Sequence, residues 1–161
     1  EHGISNLDEL DTSLSSVSDK AYSIREGMKT AEERMKKLQR LIECGKNYLT
    51  YKPVQDEYRQ IRWKGKQEKF AEAHRAELTL WNAASRYLHA NLPDVKALPI
   101  SEWKQEYADL KTQRDTDYAK LKATRAEVAE LQKIRKCVDV ALKAEQPEQT
   151  QTHTKRHELD R

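Results

Sequence analysis

The chain has 161 residues, of which 35% are charged and 37% hydrophobic, with four glycines and four prolines. So little turn chemistry excludes a many-stranded β fold. The near balance of 30 bases and 27 acids, at a mean hydropathy of −1.02, points to long helices with salt-laced outer faces rather than a disordered polyelectrolyte. No apolar run approaches the roughly 20 residues needed to cross a bilayer, and no secretory signal opens the chain. It begins at Glu1 rather than methionine, which reads as a piece excised from a longer polypeptide, removal of a tag being the plainer alternative.

The first fifty residues carry the strongest pattern. Leu7, Leu14, Ala21, Met28, Met35, Ile42 and Leu49 recur at every seventh position. Leu10, Val17, Ile24, Ala31, Leu38 and Gly45 follow each of the first six by three. This is a sustained a/d heptad, the seam of a coiled coil. It predicts a helix over about 6–44, roughly 60 Å long at about 1.5 Å per residue. Ser5 or Asn6 is placed to cap it, and Asp8 and Glu9 suit its N-terminal dipole. Gly45 marks its expected break, with Pro53 limiting where helix can resume.

Residues 46–92 read as a small helical head. Its first part leads into a basic connector, 59–69, containing Gly65. A shorter helical pattern then runs from Phe70 to Leu92, with Leu78, Trp81, Ala84, Tyr87 and Leu88 at helical spacing, and ends before Pro93. The stretch 93–100, with Pro93 and Pro99, is a turn. Ser101 is the expected N-cap of a second long helix over about 102–144. On its heptad frame lie Trp103, Tyr107, Leu110, Leu121, Val128, Leu131, Val138 and Leu142, together with polar Arg114, Asp117, Thr124 and Arg135. Tyr118 and Ile134 sit one position off, so the seam is expected to drift. Residues 145–161 are almost devoid of apolar side chains and read as a disordered tail or linker.

The expected fold is therefore all-α. Two long helices form an antiparallel coiled coil joined by the helical head, and residues 1–144 make one domain. A monomer is the simplest state, because each apolar stripe finds a tethered partner. A parallel homodimer through the first helix is the alternative. Pairing residues whose numbers sum to about 148 sets Cys44 near Trp103 and Cys137 near Asp11, too far apart at about 1.5 Å of rise per residue for the two thiols to bridge within one chain. Two cysteines without ligand spacing fit a reducing, cytoplasmic setting.

Catalytic chemistry is hard to find. No HExxH, Gly-rich phosphate loop or Ser/His/Asp arrangement is present. His153 and His157, four apart in a polar tail, read as solvent-exposed rather than metal-binding. No cofactor and no metal site is expected, and the chain is not expected to be an enzyme. The basic connector is the better candidate. Arg59, Arg62, Lys64, Lys66 and Lys69 surround Trp63, with Tyr58 and Phe70 at the flanks and Glu68 the one opposing charge. Such a cluster can hold phosphates by charge while rings stack on bases. The alternative is that Trp63 and Phe70 anchor the head while the cations keep its tip solvated. Charge distribution bears on the choice: residues 1–24 carry one base against five acids, and residues 25–69 thirteen bases against seven acids.

One ensemble of residues adds a resemblance. The run from Asn47-Tyr48 to Tyr58, then Phe70-Ala71-Glu72-Ala73-His74-Arg75-Ala76-Glu77-Leu78, is followed by Ala83-Ala84 and Tyr87. Beyond these come Leu98-Pro99, the helix opened by Trp103, Tyr107 and Leu110, and Val138-Asp139 near its end. This order, over about residues 4–142, resembles the helical region downstream of the nuclease domain in relaxases (mobilization nucleases) of Gram-positive conjugative and mobilizable elements. The resemblance rests on pattern and spacing. Such relaxases nick one strand at a transfer origin with a tyrosine nucleophile and a histidine-bound metal. No matching histidine cluster occurs here, so no tyrosine of this chain inherits that role. What the resemblance implies is an accessory helical domain contacting DNA at a transfer origin, another relaxosome protein or the transfer machinery, and no membrane.

Overall fold

The computed structural model describes residues 6–95 and 97–145. Among them every regular element is helical: α1 (Leu7–Gln60), α2 (Lys64–Ala73), α3 (Arg75–Asn91) and α4 (Ile100–Glu145). The expected tail over 145–161 lies, beyond Glu145, outside the described residues.

Each boundary has a local cause. Asn6 caps α1, its Oδ1 accepting from the Glu9 N–H at 2.8 Å and its carbonyl from Leu10 N–H at 3.2 Å. The helix does not end near residue 44; it continues through Gly45 and Pro53 to Gln60. Gly45 is not a break but a close approach. A methyl group there would lie 3.1 Å and 3.2 Å from the Ile100 side chain and 3.4 Å from Trp103, so the missing side chain makes room for the start of α4. Pro53 withdraws one N–H from the ladder, and Leu49, whose carbonyl loses that partner, is exposed to water.

The basic connector is also shorter than 59–69. Only 61–63 is non-helical, Arg59 lying in the last turn of α1 and residues 64–69 forming most of α2. At the other end of the head, α3 stops because Leu92 precedes Pro93 and takes the extended conformation (φ −126°, ψ 139°) that proline imposes on its predecessor. Helix α4 begins at Ile100, two residues earlier than expected. The Pro99 carbonyl accepts from Trp103 N–H at 3.0 Å, so Ser101 lies within the first turn instead of capping it.

The described residues fall into two compact units. The first draws, among the described residues, on 6–22 and 122–145. Its core is a narrow stripe: Leu10, Val17 and Leu131 are buried, with Leu7, Leu14, Val128 and Val138 half-buried around them. Arg135 reaches from α4 to α1, its Nε donating to Asp11 at 2.6 Å and its Nη1 to Asp139 on its own helix. The hydrogen bond to Asp11 raises the arginine's pKa further.

The second unit is Ser23–Leu121. Here four segments meet. Leu38, Leu41 and Cys44 of α1 pack with Ala84 and Leu88 of α3, Val95 of the following link and Trp103 of α4. Tyr48 stacks on Trp81, ring centroids 5.4 Å apart, and Arg40 lies over Tyr87. Burial pushes the Cys44 thiol's pKa up, so it packs as a small apolar group. Arg34 and Glu106 form a two-pronged ion pair at 2.6 Å and 2.9 Å. The Arg34 hydrogen bond holds the Glu106 carboxyl below the usual glutamate range.

On α4 the heptad frame holds from Trp103 to Val138, while Leu142, its last member, is 45% exposed. Arg114, Asp117, Thr124 and Arg135 keep their half-buried places on it, while Tyr118 (64% exposed) and Ile134 point to solvent.

Candidate nucleic-acid interface

The candidate residues all fall in the second unit, around the junction of α1 and α2. The junction is short and fixed. Trp63 is the N-cap of α2, with extended backbone (φ −93°, ψ 115°). Its carbonyl accepts from the N–H groups of Lys66 at 3.0 Å and Gln67 at 2.9 Å. The Gln67 side chain donates back to the Tyr58 carbonyl at 3.3 Å, tying α2 to the last turn of α1. An indole has no acceptor with which to cap, and no side-chain cap bond is made.

The two aromatic residues proposed as anchors part company here. Phe70 is half-buried, 6.5 Å from the Tyr58 ring and 4.3 Å from His74, whose Nδ1 lies 3.4 Å from Glu77. These contacts join α1, α2 and α3, so Phe70 is the anchor of the head. Trp63 is 75% exposed. The other two tryptophans, Trp81 at 8% and Trp103 at 7%, are core residues. Trp63 is therefore the one tryptophan not used in packing, and the Lys66 ammonium lies 5.9 Å from its ring centroid.

The cations divide in the same way. The Arg59 guanidinium lies over Trp81, 5.5 Å from the ring centroid, on the side of the head's own packing. Arg62, Lys64, Lys66 and Lys69 are exposed, and among the described residues no ion pair engages them. With Trp63 they form one solvent-facing group over eight consecutive positions, 62–69. Gly65, within it, has open space where a side chain would be. Open grooves lie elsewhere: about 540 Å³ on α4 beside Glu102, Glu106 and Asp109, and about 420 Å³ beside Leu14, Lys133 and Lys136 in the first unit.

Sequence reasoning did not foresee that Tyr48 and Arg59, eleven residues apart on α1, both meet Trp81, since that contact is made across to α3. Among the described residues no group of three His, Cys, Asp or Glu side chains is placed to hold a metal ion, and His153 and His157 lie outside them. No described helix is long and apolar enough to cross a membrane. Comparison with family models, with curated proteins and with solved structures finds no match.

Proposed function

We propose that the chain is a non-catalytic helical accessory domain that contacts DNA through Arg62, Trp63, Lys64, Lys66 and Lys69, in the manner of the helical region of a conjugative-element relaxase. The observation that carries this reading is the pairing of a 75%-exposed tryptophan with four exposed cations on one short, ordered junction. Burying an indole would release about 2–3 kcal/mol on area grounds, so its exposure is a cost that a ligand can repay. Cations without carboxylate partners are free to displace the counterions of a phosphate backbone. The setting for such a domain is the cytoplasm, with a transfer origin or another relaxosome protein as its partner.

The scaffold in this proposal is a monomeric antiparallel coiled coil of α1 with α4. Its support is the order of the contacts inside each unit: Asp11 with Arg135 in one, Arg34 with Glu106 and Gly45 with Ile100 in the other. What supports the reading is that, in the second unit, the α1 position rises from 34 to 45 while its α4 neighbour falls from 106 to 100.

The test is binding of single- and double-stranded DNA to the R62Q/K64Q/K66Q variant. The expected result is a loss of affinity on both; unchanged affinity removes the proposal. A second reading, a spacer or oligomerisation module that binds protein only, is favoured by exposed Ile134, Val140 and Leu142 on α4. Light scattering showing a dimer, together with no DNA affinity in a mobility assay, would select it.

A further inference from the structure

We infer that Trp63 is a stacking platform for an unpaired base, so that the α1–α2 junction prefers single-stranded nucleic acid to duplex. The inference rests on the DNA-contact reading above and adds to it which strand form is bound and which residue selects it.

The argument starts from what the indole does not do. Trp63 is not a core residue, since 75% of it is exposed while Trp81 and Trp103 fill the packing roles. Although Trp63 is the N-cap residue of α2, its indole takes no part in capping, since it makes no side-chain cap bond. Nor is the anchoring of α2 its task, because Phe70 and Gln67 hold α2 against Tyr58. Yet its backbone is fixed by two hydrogen bonds into the first turn of α2, so the ring is presented from an ordered base and little entropy is lost when a ligand meets it.

The ring's surroundings then specify the ligand. Lys66 sits 5.9 Å from its centroid, and with a single cation near the ring and three quarters of the residue exposed, a π-face stays open to a flat partner. Arg62 and Lys64, its two chain neighbours, are exposed cations. A flat apolar surface with one cation at its ring and exposed cations next to it in the chain fits a nucleobase carried on a phosphate backbone. In a duplex the base faces are covered by their neighbours. Only an unpaired, unstacked base offers the face that an indole needs, whereas the cations serve either form.

The experiment compares a labelled oligothymidylate of about twelve nucleotides, the scale of a single-strand binding site, with a duplex of equal length. Binding of the full chain is followed by fluorescence anisotropy. W63A should bind the single strand about tenfold more weakly, the weight of one stacked base, while its duplex affinity changes less than twofold. W63F should recover most of the loss. Exposure of Trp63 means that W63A should melt as the wild type does, and the wild-type protein should show tryptophan quenching by oligothymidylate that W63F lacks. If W63A binds the single strand as tightly as the wild type while R62Q/K64Q/K66Q is weakened, the stacking role is wrong and the charge reading stands. Equal losses on both strand forms would overturn the strand preference. If the wild type binds neither probe, this inference and the DNA reading fall together.

Discussion

The two compact units use the same two long helices and reach different kinds of core. In the first, α1 meets α4 alone, and burial is confined to Leu10, Val17 and Leu131 with a half-buried margin. In the second, α3 and the link before α4 add further sides; Leu38 and Leu88 are fully enclosed, as Leu131 is in the first, but they lie among seven buried residues of one cluster rather than three. The lesson is one of geometry. Two helices can hide a stripe, whereas an interior needs a third partner. The candidate interface belongs to the unit that has an interior, where a short junction can be held still enough to present a side chain outward.

The comparison is broken most directly in the cores. L38A or L88A should cost about 2–5 kcal/mol in denaturant unfolding, because each leaves a cavity closed on all sides. L131A should cost about 2–3 kcal/mol, nearer the transfer value alone, because a two-helix contact can collapse onto the vacancy. A larger loss for L131A than for L88A would invert the account. Amide hydrogen exchange sharpens the same contrast: residues 35–48 and 81–88 should be better protected than residues 10–17 and 128–138.

Smaller effects test the close approach at Gly45. G27A meets nothing within 4 Å, so it should stabilise by about 1 kcal/mol through helix propensity alone. G45A gains the same propensity but must push Ile100 aside, and should be less stabilising than G27A. Equal gains would mean that Gly45 does not set the approach of α4.

The smallest effect is electrostatic. Glu106 has its carboxyl pKa lowered by Arg34. A depressed carboxylate adds stability above its unfolded pKa and loses it as pH falls through the folded value. Both partners are partly exposed, so the difference between wild type and E106Q should be only about 0.5 kcal/mol at neutral pH, vanishing on acidification. A difference that persists in acid would remove the ion pair as its source.

How much was legible follows the same division. Heptad spacing finds the partner-facing stripe wherever one helix packs on one other, so Leu10, Val17, Met35 and Leu38 are on it and buried. It fails past Leu38. The frame names Ile42 and Leu49, yet Leu41 and Cys44 are buried while Leu49 is 51% exposed. There α1 faces α3 as well as α4, and a period set by one partner cannot report a face shared between two. Gly45 and Pro53 mislead for a related reason: each is a local helix breaker, but packing around the head offsets the local cost. The interface was legible as composition, since a basic cluster around Trp63 is visible in the sequence. Its division was not. That Arg59 turns to Trp81 and Phe70 to Tyr58, leaving Trp63 exposed, depends on contacts across helices.

The central claim is that the unpaired cations of the junction meet phosphates, and the salt dependence of DNA binding tests it most directly. Plotted as log affinity against log salt concentration, each phosphate contact contributes about 0.7–0.9 to the slope. The account predicts that R62Q/K64Q/K66Q flattens the wild-type slope by about 2–3. A variant slope equal to that of the wild type would contradict it.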